Sequence, residues 1–154
     1  MRFLGGCLGL LKALGANVPS KKEFMDLYTT TIGKTIYYGE GWPEGEEVTP
    51  LVVHELCHVL QFRSFWMPIK YLFSSIWRIH YESACVQAEV LCFPGTENRG
   101  SWFDDRVEQF TGYWIRSGLV AHALLSRLQG IDEGKLDPDA RLLLGAYTEY
   151  KKIV

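Results

Sequence analysis

The sequence predicts an α+β domain that is mostly helical. A small β-sheet precedes the principal helix, a glutamate-bearing second helix follows it, and more helices lead to the C-terminus. Three observations predict this. The 154 residues, 47% apolar and 22% charged, match one soluble globular domain with a single core. β-Branched and aromatic residues crowd into one short early run, Thr31-Ile32-Gly33-Lys34-Thr35-Ile36-Tyr37-Tyr38. Beyond it, helix-starting signals recur to the end of the chain.

The opening, MRFLGGCLGLLKALGANVPS, has a very short basic region, and Lys12 interrupts its apolar run, so it reads as an amphipathic helix rather than a leader. No run reaches the roughly 20 apolar residues that a membrane span needs. Ser20-Lys21-Lys22-Glu23 is a capping box and predicts a helix over 21–29. The run 31–38 reads as a strand, and 39–45, rich in Gly, Pro and Glu, as a solvated loop. Thr49-Pro50 has the form of an N-cap followed by proline, opening a helix to about Arg63. Met67-Pro68 opens an aromatic-rich helix to about Arg78. A third helix covers 80–92, ended by Pro94-Gly95. Two more cover 102–116, with Asp104 and Asp105 in its first turn, and 118–129, stopping at Gly130. Asp137-Pro138 opens the last, to about Lys151. No repeat, low-complexity tract or linker divides the chain, so residues 1–154 read as one domain.

The helix over 49–63 carries His54-Glu55-Leu56-Cys57-His58. Residues four apart in a helix share a face, so His54 and His58 can turn two imidazoles toward one ion. Zinc takes imidazole nitrogen readily and prefers four ligands. Glu55 then stands beside a bound water whose pKa zinc lowers to about 7, and can act as general base. This pattern arises by chance on the order of once in a few hundred chains of this length. Here, however, the helix is apolar on both sides of the motif. Two histidines and a glutamate in such a setting cost several kcal/mol to bury without partners, and a metal supplies the partner.

A catalytic zinc needs a third protein ligand. The stretch after His58, Gln61-Phe62-Arg63-Ser64-Phe65, holds no further histidine, so the ligand must come from later in the chain. Glu82 and Glu89 are candidates, with His80 a weaker one. Glu82, 24 residues after His58, leaves room for a turn, a short helix and a return. Glu89 lies on the same face and could hold a ligand histidine through its other ring nitrogen.

HELCHVLQF followed by HYESACVQAE resembles the gluzincin group of zinc metallopeptidases. More narrowly it resembles small bacterial and phage HELxHVxQ domains and the peptidase-like core domain of extracellular contractile injection systems. The resemblance covers about residues 31–92. It implies a zincin-like core in which His54, His58 and Glu82 bind Zn2+ and Glu55 is the base. It also implies that an extended peptide pairs with the strand over 33–38. Where well-studied gluzincins often carry an aspartate four residues after the ligand glutamate, this chain has Val86. For the group that steadies the oxyanion, Tyr81, Tyr113, His122 and His80 are candidates.

The sequence-level reading is therefore a zinc peptidase acting on a peptide or protein. The alternative is a non-catalytic zinc-binding component of a phage particle or secretion apparatus, with an assembly partner. A net charge of −2 gives no pull toward nucleic acid. Four cysteines without a CxxC pair read as buried, reduced thiols. Cytoplasmic or virion-associated localisation follows. The aromatic segment 62–78 reads as core packing with basic residues reaching water, and the same composition also suits a cleft wall or a membrane surface. His122 reads as a core histidine in an apolar helix.

Overall fold

A computed structural model of the chain describes residues 29–38, 48–64, 66–95, 102–111 and 116–152. The elements expected before residue 29, the loop over 39–45, Cys7 and Tyr113 lie outside these residues.

The early β-rich run is two strands rather than one. β1 (Thr30–Ile32) and β2 (Thr35–Tyr37) pair antiparallel, with Ile32 opposite Thr35. Gly33 and Lys34 form the two-residue turn between them, and Gly33 has φ +65°, a conformation that glycine adopts without steric cost.

Six helices follow among the described residues: α1 (Pro50–Gln61), α2 (Met67–Phe73), α3 (Ser75–Cys92), α4 (Trp102–Thr111), α5 (Ser117–Asp132) and α6 (Pro138–Tyr150). The α+β, mostly helical architecture is as the sequence predicts. In α1 the Thr49 hydroxyl accepts from the Val52 amide, and Asp137 caps α6 in the same way through the Asp139 amide. Both caps satisfy an amide that the first turn leaves without a partner.

Two helix boundaries differ from expectation. The break between α2 and α3 falls at Ser74, not near residue 79. Ser74 is extended, ends α2, and turns its hydroxyl to the Trp77 amide as the cap of α3. Gly130 does not stop α5, which continues to Asp132. A Cβ at Gly130 would lie 2.9 Å from the Lys135 carbonyl oxygen, so this glycine serves close packing. The reversal comes at Gly134, with φ +70°.

α3 is the axis of the fold. Every residue from Glu82 to Val90 is buried. One side, with Cys85, Ala88 and Cys92, packs on Val53 and Cys57 of α1 and on Ala140 and Leu143 of α6. Another, with Ile79 and Val86, packs on Phe110 of α4 and on Val120 and Leu124 of α5. Small side chains at Ser83, Ala84, Cys85 and Ala88 let helices approach closely. Cys57, Cys85 and Cys92 are buried and free. No described helix is long and apolar enough to cross a membrane.

Candidate metal centre

The pairing of α1 with α3 buries a polar cluster inside an otherwise apolar contact. α1 contributes His54, Glu55, His58 and Gln61, and α3 contributes Glu82 and Glu89, all buried. The i, i+4 spacing brings the two imidazoles together edge to face, with ring centroids 5.0 Å apart. Glu82 Oε2 lies 3.2 Å from His54 Nε2 and 3.5 Å from His58 Nε2. In a tetrahedral zinc site with ligands at about 2.0–2.2 Å, donor atoms sit about 3.3–3.5 Å apart. Glu82 Oε2 therefore stands at ligand spacing from each of the two Nε2 atoms.

The far side of each ring is also held. His54 Nδ1 donates to Glu89 Oε1 at 2.5 Å, and His58 Nδ1 donates to Gln61 Oε1 at 2.9 Å. Holding Nδ1–H on an acceptor leaves Nε2 as the nitrogen available to a metal. Each support is supported in turn. Arg106 of α4 donates to Glu89 Oε2 at 2.5 Å. Gln61 Nε2 donates to the Tyr81 carbonyl at 3.0 Å. The Tyr71 hydroxyl of α2 donates to Glu82 Oε1, which leaves Oε2 facing the histidines. The donor set, two imidazoles and a carboxylate, suits zinc.

Cys85 is a second acidic group near the pair. Its Sγ and one ring nitrogen each of His54 and His58 lie within 4.8 Å of one another, so His54, His58 and Cys85 could also hold a metal ion. Position argues for Glu82 instead. The sulfur is 3.5 Å from His58 Nδ1 and 3.8 Å from Nε2. An atom nearer Nδ1 stands at the flank of the ring, whereas a ligand partner must stand beyond Nε2. Burial, with Cys57 alongside, also raises the Cys85 thiol well above its usual range.

The charges show how the metal-free cluster is balanced. Burial works against a charged His54, but hydrogen bonds to Glu82 and Glu89 outweigh it and push the ring up to about 10. Burial also opposes ionisation of Glu82, but His58 and His54 outweigh it and hold the carboxyl well below the usual range. Stability from a raised histidine is complete below its unfolded pKa of 6.5 and is lost as pH rises through about 10. Stability from a depressed carboxylate is present above its unfolded pKa of 4.5 and is lost as pH falls. The metal-free protein should thus melt highest between about 4.5 and 6.5 as far as this pair decides. Zinc bound through His54 Nε2 would have to displace that proton, so its affinity would climb with pH up to about 10, by up to about tenfold per unit for one proton. Chelator competition across pH 6 to 9 measures this slope, and a flat profile would show that His54 is not held protonated in the metal-free protein over this range.

Glu55 faces the hairpin. Its Oε2 accepts from the Thr31 hydroxyl of β1 at 2.6 Å, which fixes the carboxylate's orientation. Thr31, Gln61, Tyr71 and Arg106 were not singled out from sequence. Only Gln61, three residues after His58 in the HELCHVLQ run, stood in the motif itself.

His54, His58, Glu82 and Glu89 are brought together; other candidates are not. His80 is exposed and bonds to Arg127 of α5 at 3.0 Å. Tyr81 is half-buried and packs on the rings of Trp77 and His80. His122 lies on the exposed face of α5 rather than in the core. Its helix is apolar enough to mislead, but Val120 and Leu124 occupy the inward positions.

No family model, curated protein or solved structure matches this chain. The chemistry of the centre rests on its own residues.

Glu89 offers a specific check. Replacing it by glutamine keeps the shape but weakens the hold on His54 Nδ1 and removes the charge that faces Arg106. Zinc affinity should fall about 10- to 100-fold. Unchanged affinity would mean that Glu89 has only a packing role.

Proposed function

We propose that this chain is a zinc-dependent peptidase of the gluzincin-like HExxH type. The observation that carries this reading is Glu82 Oε2 at ligand spacing from both His54 Nε2 and His58 Nε2, with Glu55 next to His54 on the same helix. A purely structural zinc site has no need of the glutamate. Zinc held there would supply a Lewis acid that polarises a carbonyl and acidifies water to a pKa of about 7.

The remaining work falls to the chain's own groups. Glu55, oriented by Thr31, takes the proton of the attacking water on its carboxylate and returns it to the leaving amine. Glu89 and Gln61 keep the imidazoles from turning as charge develops. Tyr71 holds the Glu82 carboxylate in place. The β1–β2 hairpin reaches Glu55 through Thr31, so an extended peptide pairing with a hairpin edge would run past the centre.

The test is hydrolysis of a broad peptide library by purified protein, with and without a zinc chelator. Cleavage that the chelator stops and added zinc restores is the expected result. Zinc bound at one equivalent with no cleavage of any library member would favour a non-catalytic zinc-binding component of a larger assembly.

A further inference from the structure

The candidate centre is closed. His54 is 6% exposed, Glu55 4%, His58 8% and Glu82 2%. A metal ion needs an entry path, and a substrate needs a wider one. Side chains this covered offer neither, so an element must move aside before anything binds.

Among the described residues, three elements reach the cluster from outside the α1–α3 pair, and they are held differently. α2 is tied down at several points. It buries Met67, sets the Tyr71 hydroxyl on Glu82, and has its Tyr71 and Leu72 carbonyls accepting from Arg78 at 3.0 and 3.1 Å. α4, which supplies Arg106, is anchored by fully buried Phe110 against Val120 and Leu124. The β1–β2 hairpin has no such anchor. Neither core cluster of the described residues includes a hairpin side chain. Ile32, Ile36 and Tyr37 are only half-buried, and Lys34 and Thr35 are exposed. Thr31 is the buried exception. Its hydroxyl donates to Glu55 Oε2 at 2.6 Å and lies 3.3 Å from the Glu55 carbonyl oxygen. A two-stranded hairpin is marginally stable by itself in water. Its seat on α1 therefore leans on this one charge-assisted bond.

We propose that the β1–β2 hairpin is a lid over the centre, latched by Thr31 on Glu55, and that it lifts off α1 to admit what binds there. Closed, the latch aims the Glu55 carboxylate. Open, water solvates that carboxylate and offsets much of the lost bond, so the net cost of lifting is small. Opening is a local excursion of one element, with α3 and both core clusters left intact. The lid controls access to the site read above as a peptidase centre, and it rests on that reading only for the identity of what enters.

The experiment uses the full chain freed of metal, so it decides without zinc or cleavage. Mass spectrometry reads two rates: amide hydrogen exchange over residues 30–37, and labelling of histidines by diethylpyrocarbonate. Thr31→Val keeps the side chain's shape and removes the latch. Both the exchange over 30–37 and the labelling of His54 and His58 should then rise about tenfold, while α3 amides exchange as in wild type. His80 and His122 are exposed already and should label at the wild-type rate in every protein. Thr31→Ser keeps the hydroxyl and should restore the wild-type rates. Thr35→Val, at an exposed position of β2, should leave them unchanged. Exchange over 30–37 that does not rise in Thr31→Val overturns the latch. Faster exchange there with His54 and His58 labelled no faster overturns the lid, because the hairpin would then lift without uncovering the centre. A rise that extends through α3 is unfolding of the domain and also overturns it. Failure to bind zinc or to cleave peptides leaves these rates as they are, and counts against the function proposed above alone.

Discussion

Glu82→Ala protein is expected to lose its zinc, and this is the largest single effect the structure predicts. Glu82 Oε2 stands within 3.5 Å of both histidine Nε2 atoms, and its removal leaves the two imidazoles with Cys85 Sγ nearby, closer to His58 Nδ1 than to Nε2. Four-ligand structural sites bind zinc with about 10–16 kcal/mol, so one ligand is worth about 3 kcal/mol, or about a hundredfold in affinity. His58→Ala should lose zinc to a similar degree. Elemental analysis after dialysis against a weak chelator reads the result directly. Cys85→Ala is the informative partner, because its sulfur flanks His58 without standing beyond Nε2. It should keep about one zinc per chain. Zinc kept by Glu82→Ala and lost by Cys85→Ala would move the third position to the thiolate.

Glu55→Gln should keep zinc and lose peptide hydrolysis. The amide preserves the shape of the side chain and can still bond to Thr31, so α1 and the metal ligands are left in place. It cannot take a proton from water. General-base catalysis contributes about 10²–10⁴-fold, and kcat should fall by that factor with zinc content unchanged. An unchanged kcat would exclude Glu55 as the base. Loss of zinc together with activity would instead place Glu55 among the groups that hold the centre together. The two variants divide the site cleanly: one removes the metal, the other leaves the metal and removes the base.

Much of the fold was legible from local signals. Thr49-Pro50 and Asp137-Pro138 name their helices because capping is a short-range bargain between a side chain and the next few amides. The misplaced boundaries have local causes too, but ones that composition hides. Ser74 sits in an aromatic run that reads as continuous helix, and only its extended backbone shows it to be a cap. Gly130 reads as a stop, yet serves the approach of the Lys135 carbonyl, a contact made after the chain has turned back. Gly33 lies within a run of strand formers, where a two-residue turn and a continuous strand have nearly the same composition.

The sequence by itself determined the pair His54 and His58, their neighbour Glu55, and the helix that carries them. Helical periodicity alone puts residues four apart on one face, and no tertiary contact is needed to know it. It also pointed to Glu82 and Glu89 as acids two turns apart on a later helix. Only the tertiary structure decided what those acids touch. The packing of α3 on α1 sets Glu82 against both Nε2 atoms and Glu89 against His54 Nδ1. It brings Arg106 from α4, Tyr71 from α2 and Thr31 from β1 to complete the cluster. It also turns Trp66, Phe73 and Ile76 outward, although their composition suits a core. The physical reason is the same in each case. Local rules give a side chain's direction relative to its own helix axis, while its partner depends on how two axes cross, which is settled by burial summed over the whole domain.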